Sequence, residues 1–330
     1  MNDFKSVKGH EHVVKNLISA LNHGKTSHAY IISGIEGVGK MTVAKAFARA
    51  LECESYNGDS CGKCISCRAF DSGNHPDVFY VKPTKTKSLG VEDIREQLIK
   101  NSEIKQYKYK YKVFIVDDAD TMTIPAQNAL LKTLEEPPQY VVILLLAQSS
   151  ASFLPTILSR CVELKLNPLS SAEIKAYLEK NEGIDTNRAD FYAEYAQGSI
   201  GRALKLYSSE DFGKKREDVI NSLLTAVNGD LIEAMGSAKN IEPYKGDSSV
   251  LDIALMFFRD VLVYKATKDE DRVIQKDIFE DIKKTARKLD TERIIKCFDA
   301  VSEAEKQLKQ NANFTLVAEV MLMRINDRKA

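Results

Sequence analysis

The residues best placed to do chemistry form a glycine-rich loop, Gly34 to Lys40, which fits the pattern G-x-x-x-x-G-K. Glycines let the backbone turn its N–H groups toward phosphate oxygens, and the lysine can reach the outer phosphates of a nucleotide. A short apolar strand precedes the loop and a helical stretch to about Leu51 follows it. That order favours a phosphate-binding P-loop over a glycine-rich turn that merely precedes a helix.

The residues that should complete a magnesium site are altered. A P-loop normally has Ser or Thr after the lysine, but this chain has Met41, whose thioether is a poor ligand for Mg²⁺. Thr42 comes one residue late, rotated by about 100° around the helix. Asp117 ends an apolar strand and suits the second magnesium element, whereas Asp118 is one methylene shorter than the glutamate expected to polarise water. We therefore expect phosphate binding to be retained and hydrolysis to be impaired.

Four of the six cysteines fall within fifteen residues: Cys53, Cys61, Cys64 and Cys67. Four thiolates with two C-x-x-C spacings suit a tetrahedral Zn²⁺ ion, and a closed four-cysteine shell indicates a structural role. A redox pair or a set of unrelated buried thiols is the alternative. Cys161 and Cys297 stand apart from this cluster.

Two arginines lie where secondary structure begins. Arg160 comes just before a predicted strand, and Arg202 lies in the segment Gly198 to Ala203, which opens a helix. Single arginines are common on surfaces, so the residues alone indicate a strand-end ion pair and a solvated side chain.

Tyrosine and lysine alternate from Tyr107 to Lys112. If extended, this segment has tyrosines on one face and lysines on the other, which could stack on nucleic acid. We favour the alternative, an edge strand whose lysines prevent aggregation.

Five apolar segments read as strands and alternate with helical stretches, which predicts an α/β domain with a parallel sheet covered on both faces. The strands are residues 28–33, 77–82, 113–116, 141–147 and 162–166. Thr123 can cap a helix that Pro137 and Pro138 end. After Pro168 the chain reads as helix after helix, beginning with the capping box Ser170 to Glu173.

Three domains are predicted: residues 1–167 with the cysteine module at 53–67, a small helical domain at 168–208, and a helical bundle at 209–330. Forty-seven basic residues balance forty-seven acidic ones, so the whole-chain charge favours neither nucleic acid nor membrane. No apolar run has the length of a signal peptide or a membrane span, so we expect a cytoplasmic protein without membrane partners.

Together the motifs resemble the delta-prime family of bacterial DNA polymerase III clamp-loader subunits, which are AAA+ proteins. The resemblance covers most of residues 4–165. Besides the loop and the cysteine module, it is carried by residues 28–30, 74–77, 90–95, 128–138 and 158–161. The C-terminal half is similar in length and helical character only.

The resemblance implies an AAA+ domain, a small helical lid, and a collar that assembles a hetero-pentamer with delta and tau/gamma subunits. Such a complex places the sliding clamp on primed DNA. It also implies that Arg160 acts in trans as an arginine finger at a neighbouring ATPase. If ATP or ADP binds, the implied contacts are Gly34, Gly37, Val38, Gly39, Lys40, Met41, Thr42, Asp117 and Arg202.

Two other interpretations remain. The tau/gamma ATPase shares the cysteine module, but it should have Thr after Lys40 and Asp-Glu at 117–118. An independent P-loop enzyme, such as a kinase or helicase, needs a substrate site that no motif here supplies.

Overall fold

The computed structural model describes residues 3–55, 58–84, 88–209, 211–247 and 249–327. Residues 56 and 57, inside the predicted cysteine module, lie outside this description. The chain divides into two compact units, residues 1–204 and 205–330. The division into three domains stays a prediction.

The first unit contains a parallel sheet of five strands, as the sequence predicts. The strands are β1 (Ala29–Ser33), β2 (Val78–Val81), β3 (Lys112–Val116), β4 (Val141–Ala147) and β5 (Val162–Lys165). Among the described residues their order is β2-β3-β4-β1-β5, and every neighbouring pair is parallel. β4 is buried along its whole length because strands flank it on both sides and helices cover both faces.

Helices cover both faces of this sheet. The first unit has α1 (Glu11–Asn22), α2 (Lys40–Leu51), α3 (Ile65–Asp71), α4 (Val91–Ile94), a π-helical turn (Arg95–Ile99), α5 (Lys100–Glu103), α6 (Ile124–Glu135), α7 (Pro155–Leu158), α8 (Ser171–Glu182), α9 (Thr186–Tyr195) and the first turn of α10 (Ile200–Ser208). Successive residues of β1 point to opposite faces, so Ile32 packs with Phe47 of α2 while Ile31 packs with Leu130 of α6. The predicted α/β fold with two covered faces is confirmed.

Local side-chain chemistry sets the helix starts as expected. The hydroxyl of Thr123 accepts a hydrogen bond from the Ala126 N–H at 3.4 Å, and Pro125 lies in the first turn of α6. Ser170 and Glu173 form the reciprocal capping box at the start of α8. The predicted boundaries at these two helices are confirmed.

The segment from Tyr107 to Tyr111 is not a strand, so the edge-strand interpretation is wrong. The buried carboxylate of Asp77 accepts hydrogen bonds from the N–H groups of Tyr107, Lys108 and Tyr109 at 2.7, 3.2 and 3.4 Å. Three consecutive amides turned toward one carboxylate cannot also form a strand ladder. The backbone therefore folds around Asp77 before β3 begins at Lys112.

The second unit is helical throughout its described residues. Its helices are α11 (Phe212–Asn228), α12 (Leu231–Gly236), α13 (Ala238–Ile241), α14 (Ser249–Thr267), α15 (Phe279–Lys288), α16 (Thr291–Lys309) and α17 (Phe314–Asn326). Phe257 and Phe258 of α14 are fully buried, and the buried Asp260 accepts hydrogen bonds from the N–H groups of Ile274 and Gln275. The predicted all-α character is confirmed. Within the described part of the chain, the search for a helix long and apolar enough to cross a membrane finds none.

We expect Asp77→Asn to lower the free energy of unfolding by about 2–3 kcal/mol, because hydrogen bonds to a buried charge are among the strongest. An amide would also aim its NH₂ group at backbone donors. Chemical denaturation measures the change. Asp190→Asn, which removes an exposed carboxylate paired with Lys175 at 3.1 Å, is the matched control and should cost less than about 1 kcal/mol. Equal losses for the two variants would contradict this role of Asp77.

Candidate functional site

The glycine-rich loop joins β1 to α2, as the motif requires. Gly37 and Gly39 have φ angles of 71° and 112°, which side chains disfavour, and Gly39 is the residue before α2. The ammonium group of Lys40 donates to the carbonyl oxygens of Gly34 at 2.8 Å and Ile35 at 3.0 Å. The lysine expected to meet phosphate is thus hydrogen-bonded to its own loop.

The loop is also held by the start of α10. The Ser199 hydroxyl donates to the carbonyl of Glu36 at 2.8 Å, and the Gly201 N–H donates to the carbonyl of Gly37 at 2.9 Å. A Cβ at Gly201 would lie 2.8 Å from the Gly37 Cα, so the two glycines pack backbone to backbone. We name this arrangement the glycine clasp. No local sequence pattern predicts it, because the two segments lie far apart in sequence.

A cavity of about 630 Å³ adjoins the loop within the first unit. Its lining includes Val38, Gly39 and Thr42 from the loop and α2, and Tyr177 and Ile200 from α8 and α10. The buried His10 donates through Nε2 to the carbonyl of Val38 at 2.9 Å, which is a further contact that fixes the loop. The cavity is large enough to accept a small polar molecule beside the loop.

Acidic residues gather near Lys40 at the carboxyl end of β3. Burial lowers the pKa of Lys40, and the negative charges of Asp120, Asp118 and Asp117 oppose that effect. Burial raises the pKa of Asp118, with further contributions from Asp117 and Asp120. The structure therefore brings Asp117 to the predicted loop, where a carboxylate could meet a cation.

Met41 packs against the apolar cluster under the sheet, with Phe47 and Ile32 among its members. Thr42 is exposed and lines the cavity. A thioether packed against the core supplies no hard oxygen at the position where magnesium needs one. The loss of a magnesium ligand from this loop stays a prediction.

Arg160 lies between α7 and β5 and is tied to neighbouring groups. Its Nη2 contacts Glu135 Oε1 at 2.9 Å, and its Nη1 donates to the carbonyl of Thr156 at 2.9 Å and the hydroxyl of Ser159 at 3.1 Å. A third of the side chain is exposed. Since surface ion pairs contribute little, a competing anion can displace Glu135 at small cost.

Strand direction separates Arg160 from its own loop. β5 is parallel to β1, with Val162 beside Tyr30 and Lys165 beside Ser33. Arg160 precedes β5 and so lies at the amino edge of the sheet, whereas the loop follows β1 at the carboxyl edge. Five residues of strand span about 16 Å, which is beyond the reach of one arginine side chain. Arg160 therefore cannot contact a phosphate held by its own loop.

Arg202 lies at the glycine clasp. Its N–H donates to the Ser199 hydroxyl at 3.1 Å, and its Nη1 donates to Gln197 Oε1 at 3.2 Å. The structure brings the backbone of Arg202 to the loop at Gly37, while this guanidinium contact is with Gln197.

The four clustered cysteines meet in space. The sulfur atoms of Cys53, Cys61, Cys64 and Cys67 all lie within 4.8 Å of one another, and all four are free thiols. This spacing is compatible with four sulfurs at about 2.3 Å from one central ion. The cluster can hold a metal such as zinc.

Backbone amides point at these sulfurs. The N–H of Cys61 donates to Cys53 Sγ at 3.3 Å, and the N–H of Cys67 donates to Cys64 Sγ at 3.3 Å. Hydrogen bonds from Ser55 first, then from the amides of Lys63 and Cys64, lower the pKa of Cys61 to about 5. Donors aimed at sulfur stabilise thiolates, the form that binds metal.

The cysteine module is anchored on α2. The buried Arg49 donates to the hydroxyl of Ser60 at 2.9 Å and pairs with Asp71 at 2.5 Å. One guanidinium thereby joins the middle of the module, and α3 beyond it, to the helix that follows the loop.

We expect Gly201→Ala to lower the free energy of unfolding by about 1–3 kcal/mol, because the added methyl would force the clasp apart. Gly213→Ala in α11 is the matched control, since no atom lies within 4 Å of its added Cβ. The control should stabilise slightly, because alanine is the better helix former. Thermal denaturation of both variants measures the difference. Equal behaviour would show that the clasp tolerates a side chain.

Comparisons with known proteins cover both units. A family model described as DNA polymerase III, delta subunit, matches residues 9–170. A second, described as DNA polymerase III, delta subunit, C terminal, matches residues 210–327.

Two relatives of known name are also DNA polymerase III subunits. The DNA polymerase III subunit delta' of Bacillus subtilis is 28% identical over 96% of this chain and 95% of its own length. The tau subunit of the same organism is 26% identical over 98% of this chain, which spans only 61% of that relative. A solved gamma subunit-related protein of Thermotoga maritima has a TM-score of 0.45 and 20% identity, covering 96% of this chain and 99% of its own. By the two matches that together span most of its length, the chain belongs to the DNA polymerase III delta subunit family.

Proposed function

We propose that this chain is the delta-prime subunit of a DNA polymerase III clamp loader. In that role it joins delta and tau/gamma subunits in a hetero-pentamer that loads the sliding clamp onto primed DNA. The match to a delta' relative along nearly the whole of both chains supports this assignment. The role belongs to replication and therefore to the cytoplasm.

One observation carries the catalytic part of the proposal, namely the position of Arg160 at the sheet edge opposite its own loop. A guanidinium that cannot contact a phosphate in its own loop can contact a phosphate held by a neighbouring subunit. Release from Glu135 exchanges one exposed ion pair for a contact with a nucleotide phosphate. Arg160 then stabilises the charge that develops on the γ-phosphoryl group in the adjacent ATPase subunit.

The chain's own loop contributes little turnover in this proposal. Met41 packs against the core and Asp118 is shorter than the expected glutamate, so we expect both the metal site and the water-polarising group to be deficient. The cavity beside the loop leaves room for ATP or ADP, with Thr42 and the loop glycines as contacts. A phosphate entering the loop must first displace Lys40 from the carbonyls of Gly34 and Ile35. These same features disfavour the tau/gamma ATPase alternative.

The four cysteines hold zinc in this proposal. Four sulfur ligands with no open position favour a structural ion, which would compensate the charge of thiolates packed against one another. The ion would join Cys53, which follows α2, to the segment from Cys61 to Cys67, which includes the start of α3.

We expect Arg160→Ala to silence the adjacent ATPase site in a loader reconstituted with delta and tau/gamma, because a finger is worth about 10³–10⁵ in turnover at the site it serves. The rate of DNA-stimulated ATP hydrolysis by the whole loader should fall by at least the fraction that this one site contributes. Arg160→Lys should lower ATP hydrolysis as well, since an ammonium group lacks the planar, two-pronged donor geometry of a guanidinium.

The matched control is Arg188→Ala, an exposed arginine on α9, which should leave turnover unchanged. Full turnover with Arg160→Ala would sink the finger assignment. Brisk hydrolysis by the isolated wild-type chain would instead overturn the view of its own loop.

We expect the purified chain to contain about one zinc ion, and chelation to lower its thermal midpoint, because a structural zinc contributes folding energy directly. Cys64→Ser should lose the metal, while Cys161→Ser, outside the cluster, should keep it. Elemental analysis and thermal denaturation measure the two effects. A Cys64→Ser protein with a full complement of zinc would contradict the four-cysteine site.

A further inference from the structure

The tyrosine–lysine segment, residues 104–112, has no part in the proposed function. It contains three tyrosines and four lysines and lacks an acidic residue, although the whole chain is neutral. Its backbone is not a strand but a turn around Asp77.

The segment is held rigidly. Asp77 accepts its three central N–H groups, and the Lys112 ammonium donates to the carbonyl of Ile104 at 3.0 Å, which closes the base of the turn. The Tyr109 ring packs on the buried His75 ring with 4.7 Å between centroids. His75 is itself fixed, because its Nδ1 accepts from the Asp77 N–H and its Nε2 contacts the Ser66 hydroxyl. A surface ordered in advance loses little entropy when a partner binds.

The exposed part of the segment combines an aromatic ring with positive charge. Tyr107 is 82% exposed, an unusual degree for a tyrosine whose backbone is fixed. Lys105, Lys108 and Lys110 are exposed on either side of it in sequence. Lys108 approaches Glu54 only at 4.0 Å, with more than half of its side chain open to solvent, so this weak pair leaves the charge accessible.

We infer that the tyrosine–lysine segment binds single-stranded nucleic acid. An exposed ring offers a face on which an unpaired base can stack, and flanking ammonium groups meet the phosphates on either side. Bases in a duplex are already stacked on one another, so a lone ring favours single strands. An acidic peptide would use the lysines, but it would gain nothing from Tyr107.

This inference does not rest on the proposed function. Binding would be a property of the isolated chain, without partner subunits or nucleotide. It would allow this chain to hold an unpaired strand directly, in addition to any work done through a complex.

The test measures binding of the full chain to a fluorescent oligothymidylate by anisotropy at several salt concentrations. Tyr107→Ala should weaken binding at least about fivefold, while Tyr107→Phe should retain it, because stacking needs the ring but not the hydroxyl. Log affinity falls as log salt concentration rises. Changing Lys105, Lys108 and Lys110 together to Gln should make this slope less steep by about 2. An oligouridylate probe distinguishes RNA from DNA, and binding of either supports the inference.

The matched control changes Lys15, Lys180 and Lys239, which are also exposed, to Gln and removes the same charge elsewhere. It should leave the salt slope unchanged. The inference is overturned if wild type fails to bind at low salt, or if control and segment variants weaken binding equally. It is also overturned if Tyr107→Ala binds like wild type, or if only an acidic peptide such as oligoglutamate binds through these lysines.

Discussion

The direction of the parallel strands is the constraint on which the rest of this structure depends. In a parallel sheet all carboxyl ends meet at one edge, so the loop after β1 and the acidic residues after β3 are brought together there. The same rule places whatever precedes β5 at the other edge. Arg160 and the loop are thus kept apart by the length of β1, and no side-chain rearrangement can bring them together.

Because Arg160 is kept away from its own loop, two features of that loop are understandable although they would be unfavourable in a hydrolysing ATPase. A loop whose lysine is bonded to its own carbonyls, and whose backbone is clasped by Ser199 and Gly201, is already satisfied in the absence of a ligand. Met41 adds apolar contact where a working magnesium site would need a hydroxyl. Each of these features stabilises the loop without a ligand, and the proposed role of Arg160 at a neighbouring site does not require this loop to hydrolyse ATP.

Much of the fold could be predicted from the sequence because its signals are local. Apolar runs indicate buried strands, Thr123 and Ser170 cap helices through side chains within three residues, and the cysteine spacing brings four thiols together. The boundaries of β1 and β4 agree with the predictions to within one residue.

The failures have one physical cause, which is contact between residues distant in sequence. Alternation from Tyr107 to Lys112 has the period of a strand, but Asp77, thirty residues away, binds the amides that a strand would need. The glycine clasp likewise joins Gly37 to Gly201, and neither glycine predicts the other. The ion pair predicted for Arg160 is confirmed, but the local pattern does not identify Glu135 as its partner. The edge position of Arg160 follows once β5 is known to run parallel to β1.

Asp77 connects these observations. It is 1% exposed, its carboxylate turns the tyrosine–lysine segment outward, and its N–H fixes His75 beside the cysteine module. Burying a carboxylate is unfavourable unless hydrogen-bond donors surround it, and here three amides together offset the desolvation of Asp77. Asp77 therefore both prevents the segment from forming a strand and orders its exposed part. Without the hydrogen bonds to Asp77, the same segment would lose more conformational entropy when a partner binds. The anchoring of Tyr107 is thus better explained by recognition than by protection of a sheet edge, because β2 already lies outside β3 in the strand order.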